Sequence, residues 1–163
     1  MIISLSGPLS LVGQESRDGG DRPIEFDFRG EFTAAQFLTI KHHYGWDEEQ
    51  LLIINYVQPR KYCHFDNRVF NSDNKKWWDT YYEGIDTEDC LNIHVFSDSR
   101  GLRKKLDNTT LFDDKNDFLL EQFFSRKQSC YGLMVINQKG NYFQFNGHYS
   151  ERQVAKFIEV LKR

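Results

Sequence analysis

The sequence is short of cysteine and of long apolar runs, and it lacks several well-known catalytic and binding motifs. Its three cysteines are odd in number and too few for a disulfide framework, which favours a reducing compartment. No run approaches the roughly 20 apolar residues of a membrane span. The sequence holds no glycine-rich phosphate loop, no zinc-binding quartet and no serine-centred nucleophile elbow. We therefore expect no membrane span, no cofactor and no bound metal.

The composition is that of one globular domain. The 163 residues are 39% hydrophobic and 28% charged, which is enough apolar material for a core and too much for a disordered chain. The formal net charge of −3 argues against a general nucleic-acid binder. We therefore expect the partner to be another protein, and the oligomeric state stays open.

Residues 1–23 are predicted to form an N-terminal extension. Residues 1–13 are apolar but lack the positively charged lead and the cleavage site of a signal peptide. They are either a first strand or the remnant of a trimmed export signal, and residues 13–23 form a polar, glycine-rich loop. A cytoplasmic location is favoured, and an exported or periplasmic one applies if a signal was trimmed.

From residue 24 onward, apolar periodicity predicts alternating strands and helices. Its continuous apolar character marks LLIINYV at 51–57 as the central strand. A helix is predicted from Thr33 to near Gly45, with Phe37, Leu38 and either Ile40 or the stem of Lys41 facing inward. The other predictions are a half-buried strand at 24–30, an aromatic helix at 74–83, a strand at 91–99, a polar loop at 107–117 and a helix at 118–125.

The C-terminal region carries the clearest local signals. Ser150 and Gln153 form a capping-box pattern that begins the last helix. The apolar stripe of that helix follows at i, i+3, i+4 and i+7, and consists of Val154, Phe157, Ile158 and Leu161. Before it, an apolar run at 133–136 and an alternating run at 141–146 flank a turn at 137–140, which predicts a β-hairpin.

These elements resemble the C-terminal half of thioredoxin-like domains, particularly the peroxiredoxin-related branch. The resemblance lies in the order and spacing of NQKG at 137–140, FNG at 145–147 and SERQVAKFIEVL at 150–161. It implies an α/β fold over residues 24–163 as one domain. The implied architecture is a thioredoxin-like mixed sheet with helices on both faces and a C-terminal β-hairpin followed by a helix.

The resemblance also implies a redox site in the loop at 58–67, and the sequence departs from the family there. A working thioredoxin site has two cysteines separated by two residues, whereas this loop holds Cys63 alone. The family also places a cis-proline just before the strand at 133–136, and Tyr131, preceded by Cys130, occupies that place. Without proline a cis bond would cost about 3 kcal/mol, so we expect a trans peptide.

Three interpretations of the cysteines follow from this plan, which brings Cys63 and Cys130 close together beside His64. Both can be partly buried, inert fillers of small apolar volume, which is the interpretation we favour. Alternatively, Cys63 is a reactive thiolate favoured by Arg60, Lys61 and a helix N-terminus. The third interpretation is a disulfide or a metal pair between Cys63 and Cys130.

The predicted helix at 74–83 carries a broad aromatic face that bears on binding. Its aromatic residues are Trp77, Trp78, Tyr81 and Tyr82. Core packing against the sheet is the first explanation, and an exposed patch for a partner protein is the second, because Trp and Tyr are favoured interface anchors.

The leading functional hypothesis is a redox-degenerate thioredoxin-like domain that serves as a protein-binding or adaptor module, with Cys130, Tyr131 and the aromatic helix as candidate binding residues. The enzyme alternative is a single-cysteine thiol oxidoreductase or peroxidase with Cys63 as nucleophile, supported by Arg60 and His64. A third class is a small acidic inhibitor or immunity-type protein that covers a basic partner.

Overall fold

The computed structural model describes residues 28–58, 72–97, 107, 109–124 and 130–163. Its described elements are six strands and four helices, and a 3-10 turn at Lys115–Asp117 precedes the third helix. In order they are β1 (Phe28–Glu31), α1 (Ala34–Tyr44), β2 (Leu51–Val57), α2 (Ser72–Tyr82), β3 (Cys90–Phe96), β4 (Leu111–Asp113), α3 (Phe118–Gln122), β5 (Tyr131–Asn137), β6 (Asn141–Asn146) and α4 (Glu151–Leu161).

The strands form one six-stranded mixed sheet in the order β1-β6-β5-β2-β3-β4. β2 pairs in parallel with β3 and antiparallel with β5, and β3 pairs in parallel with β4. β5 and β6 form a hairpin, and β1 adds antiparallel to its outer edge. The predicted fold class is confirmed: an α/β mixed sheet of thioredoxin-like arrangement that ends in a hairpin and a helix.

The core lies on both faces of β2, in which residues 51–56 are all buried. Leu52 and Ile54 face α1 and α3, where they meet Ile40 and Leu119. The alternate positions of β2 face α2 and α4, where Tyr81, Val154 and Phe157 pack against the sheet. We call these sides the α1/α3 face and the α2/α4 face. A strand covered on both sides requires the continuous apolar run that the sequence has there.

The helix ends agree with the local signals. The Ser150 side chain accepts a hydrogen bond from the Gln153 amide, the Gln153 side chain accepts one from the Ser150 amide, and the predicted stripe of α4 is buried. α1 begins after Thr33, which forms a second capping box, and ends at Gly45, whose φ of 62° is a left-handed cap that glycine adopts without strain.

Two sequence predictions are corrected. Leu38 does not face inward but is 67% exposed, because the buried positions of α1 are Ile40 and Tyr44 on another side of the helix. The polar stretch at 107–117 is not entirely loop, because it contains β4, and Phe112 of β4 reaches the core. There the Asp107 carboxylate accepts backbone amide hydrogen bonds from residues 109, 110 and 111 and so turns the chain into the strand.

Some predictions fall outside the described residues. These are the N-terminal extension at 1–23, the first part of the predicted strand at 24–30 and the predicted loop at 58–67 apart from Gln58. α3 ends at Gln122, three residues before the predicted end of that helix. No helix in the described part of the chain has the length and apolar character that crossing a bilayer requires.

The close packing of β5 yields a prediction. A Cβ atom added at Gly132 would overlap the ring of Phe124, whereas one added at Gly84 would meet nothing within 4 Å. We expect Gly132→Ala to lower the free energy of unfolding by about 1–3 kcal/mol through overpacking. The control, Gly84→Ala, should change it by less than about 0.5 kcal/mol. Urea unfolding of both variants measures this, and similar losses in the two would contradict the packing described here.

Candidate functional site

The candidate site lies on the α2/α4 face, at the carboxyl ends of the parallel strands β2 and β3. Asn55 of β2 and His94 of β3 are register partners there. After β4 the chain returns to the other edge of β2 through β5, so β2 is the point at which the strand order changes direction. Open α/β sheets bind ligands outside the carboxyl ends of their strands at such a switch point.

Asn55 is the centre of a hydrogen-bond network that we call the Asn55 network. Its side chain is 1% exposed in a strand that is otherwise apolar. The amide nitrogen donates to Asn92 Oδ1 at 2.7 Å and to the Ile93 carbonyl at 2.9 Å. The amide oxygen accepts from the hydroxyls of Tyr82 at 2.6 Å and Tyr149 at 2.7 Å. All four bonds that an asparagine side chain can make are therefore present.

The two tyrosines of this network act as neutral donors. Burial raises the pKa of Tyr82 and of Tyr149 well above the ordinary tyrosine value. The hydroxyl of Tyr81 donates to the Tyr149 carbonyl at 3.2 Å. The network thus joins β2, β3, α2 and the segment before α4, and its hydroxyls stay protonated at any ordinary pH.

The predicted aromatic residues of α2 divide into two groups. Trp78, Tyr81 and Tyr82 pack towards the sheet, and the Trp78 ring lies 4.8 Å from that of His94. Trp77 is 57% exposed, with its ring 4.7 Å from that of Trp78 and 5.3 Å from that of Tyr81. The core interpretation therefore fits three of the four, and the partner-surface interpretation is left with Trp77.

The structure places the cysteine candidates only in part, because Cys63, His64 and Arg60 lie outside the described residues. Cys130 is disulfide-bonded and buried, so the interpretation of it as an inert free filler is wrong. Its peptide bond to Tyr131 is trans, as predicted. A persistent disulfide is typical of oxidising compartments, whereas the cysteine count favoured a reducing one; the cytoplasmic location stays a prediction.

Cys130 and Tyr131, at the start of β5, each make a contact with another part of the chain. The Cys130 carbonyl accepts the backbone amide of Gln58 at 3.0 Å, which joins it to the end of β2. The Tyr131 ring packs edge-on against His148, with the ring centres 5.1 Å apart. Within the described ranges, no three His, Cys, Asp or Glu side chains come close enough together to hold a metal ion.

Cys90 is a free thiol at the opposite end of the sheet. It pairs in register with Leu51 at the start of β2, whereas Tyr131 pairs with Val57 at its end. Burial raises the pKa of Cys90 to about 11, with Lys162 opposing the rise and Asp86 adding to it. Because the thiolate is the nucleophile, this cysteine is poorly reactive at neutral pH.

Sequence reasoning missed Asn55, Tyr149 and Asn92 as members of the site. Tyr149 lies 94 positions from Asn55, so no periodicity links them. One signal was present: an asparagine inside an apolar central strand must find hydrogen-bond partners when it is buried.

Substitutions in the Asn55 network should lower the free energy of unfolding by amounts that depend on how many hydrogen bonds each one removes. Asn55→Leu leaves two tyrosine hydroxyls and the Asn92 side chain without their buried partner, so the free energy of unfolding should fall by about 2–5 kcal/mol. Tyr82→Phe removes one bond while Tyr149 still donates to Asn55, so the loss should be about 0.5–1.5 kcal/mol. Urea unfolding followed by circular dichroism measures both, and an equal loss in the two variants would rule out a shared hub.

Alkylation of Cys90 should report its raised pKa. In the unreduced native protein, the iodoacetamide rate at the Cys90 peptide, followed by mass spectrometry across pH, should have its midpoint near 11. In denaturant the same thiol should return to about 8.5, which provides the control. A native midpoint equal to the denatured one would show that Cys90 is not desolvated.

Comparison of the chain with protein-family models, with curated proteins and with solved structures finds no match. The candidate site is therefore argued from its own residues, which are the Asn55 network and the exposed Trp77 beside it. Of the described cysteines, Cys130 is disulfide-bonded and Cys90 is a desolvated thiol.

Proposed function

We propose that this chain is a redox-degenerate member of the thioredoxin-like superfamily that binds another protein through α2. The observation that carries the proposal is Trp77, a large aromatic side chain that is left 57% exposed while the other three aromatic side chains of α2 pack towards the sheet. Tryptophan is among the residues most enriched at the energetic centres of protein interfaces.

The thiols of the described chain do not support redox catalysis. Thiol exchange needs an accessible thiolate of low pKa, usually with a second cysteine to resolve the mixed disulfide. Cys90 has a raised pKa and lies at the far end of β2 from Cys130, which is already oxidised. The enzyme alternative rests on Cys63, His64 and Arg60, which lie outside the described residues, and it stays a prediction.

Trp77 is held on a rigid platform, which favours binding. Its ring rests against Trp78 and Tyr81, and Tyr81 is hydrogen-bonded to the Tyr149 carbonyl. One turn further along, Tyr82 is fixed by Asn55. An anchor whose neighbours are already ordered loses less conformational entropy on binding than a free surface side chain does.

The charge around this helix indicates a basic partner. Over residues 76–89 there are five acidic side chains and one basic one, Lys76, and all six residues are exposed. The acidic residues are Asp79, Glu83, Asp86, Glu88 and Asp89. Lys162 Nζ lies 3.7 Å from Asp86 Oδ2 and so offsets part of this negative charge. A tryptophan beside excess negative charge suits a partner surface with an apolar pocket rimmed by Lys or Arg.

The same acidic surface supports a second candidate, a small acidic inhibitor or immunity-type protein. It differs from an adaptor in its effect on the partner. An inhibitor abolishes the partner's activity at a one-to-one ratio, whereas an adaptor leaves that activity in place.

Site-specific crosslinking tests the proposal. Leu38 provides the matched control, because it is the other large hydrophobic side chain exposed in the described chain and lies on α1. A photoreactive benzoylphenylalanine placed at position 77 in cells that produce this protein should yield one discrete adduct, and the same group at position 38 should not. When extracts are irradiated instead of cells, the yield of the position-77 adduct should fall as the salt concentration rises. The yield should not change when thiols are blocked with N-ethylmaleimide before irradiation.

Two outcomes would contradict the proposal. Equal adducts from positions 77 and 38, or none from either, would mean that α2 is not a binding surface. Loss of the adduct on thiol blocking would move the enzyme alternative ahead.

A further inference from the structure

A second group of buried polar side chains lies on the opposite side of the sheet from the Asn55 network. It is on the α1/α3 face, at the carboxyl ends of β2, β3 and β4. We call it the Asp114 cluster, and its members are Tyr44, Tyr56, Gln58, Ser97 and Asp114. Backbone bonds hold these strand ends together: the Ser97 amide donates to Val57 and the Asp114 amide donates to Phe96.

Asp114 is the centre of this cluster and is 4% exposed. Its Oδ1 accepts the backbone amide of Leu119 at 2.9 Å, and its Oδ2 accepts the Leu120 amide and the Tyr56 hydroxyl, each at 2.9 Å. Burial raises the pKa of Asp114 despite these bonds. A carboxylate offers about four acceptor positions, so room for one more donor remains.

Three neighbouring polar atoms are buried and have no hydrogen-bond partner in the part of the chain that the structure describes: Tyr44 OH, Gln58 Oε1 and Ser97 Oγ. Tyr44 is 2% exposed and Gln58 is 4% exposed. Buried polar atoms are rarely left without a protein or water partner, because each would carry its full desolvation cost.

These three atoms belong to one neighbourhood. Burial first and then the charge of Asp114 raise the pKa of Tyr44, so its hydroxyl is close enough to feel that carboxylate. Ser97 lies beside the Tyr56 hydroxyl, although it completes no hydrogen bond there. Gln58 follows Tyr56 by two positions on the same strand face, and its amide nitrogen donates to the carbonyl of Phe124, whose ring stacks on Tyr56 at 4.3 Å.

We propose that the Asp114 cluster binds internal water. The unpaired set contains an amide oxygen, which needs a donor, and two hydroxyls, which can each donate a proton. Water offers two donors and two acceptors and satisfies both kinds of atom. A metal ion would take lone pairs from all of the oxygens but would leave the two hydroxyl protons unpaired. Polar sites with two to four such partners are where buried water is found.

The direction in which Tyr44→Phe shifts the Tm shows whether the Tyr44 hydroxyl is bound to water or is left without any partner. If Tyr44 OH donates to water, Tyr44→Phe removes a hydrogen bond and should lower the Tm by about 2–4 °C. If that hydroxyl has no partner, its removal relieves a buried polar atom and the Tm should rise. Tyr56→Phe, which loses the bond to Asp114, should lower the Tm in either case and so shows that the measurement responds to this cluster.

A measurement of bound water in the wild-type protein provides a second test that does not depend on how well a variant folds. Oxygen-17 relaxation dispersion of the wild-type protein should detect water that exchanges slowly with bulk, and Tyr44→Phe should reduce that signal. A rise or no change in the Tm of Tyr44→Phe, or a wild-type protein without slowly exchanging water, would overturn the proposal.

Discussion

The rest of the structure depends on the hydrogen-bond requirement of Asn55. It is a polar side chain in the middle of a strand that is buried on both faces, so each of its donors and acceptors needs a partner, and protein groups supply all four. The partners that satisfy it come from β3, from α2 through Tyr82, and from the segment before α4 through Tyr149. Elements far apart in the chain are thereby fixed at one end of the sheet, which hydrophobic packing alone would not specify.

Asp114 has the corresponding role on the α1/α3 face, where it also joins separate elements of the chain. It joins the end of β4 to the start of α3 and to Tyr56 of the central strand. Tyr56 and Asn55 are neighbours that point to opposite faces, so one short length of β2 supplies a polar group to each side. The buried polar chemistry is therefore concentrated at the carboxyl end of the sheet. At the other end of β2, Leu51 pairs with Asn137, the residue that leads from β5 into the hairpin turn.

The parts of the fold that could be predicted are those with local signals. The capping box at Ser150 and the apolar run of β2 depend on residues a few positions apart, and both are confirmed. β4 could not be predicted, because Leu111 and Phe112 are two apolar residues among polar ones and become a strand by pairing with β3. The Asn55 network joins positions separated by up to 94 residues, so its partners leave no periodic trace.

The strand order also fixes when the sheet can be completed during synthesis. β2 can join β3 early, but its other edge must wait for β5. β1 waits longest, because its register partners, such as Gln144 opposite Phe28, belong to β6. A chain leaving the ribosome therefore exposes β1 without its partner β6 until nearly all of the domain has emerged. A chaperone that recognises unpaired strand edges would have its longest opportunity at that segment.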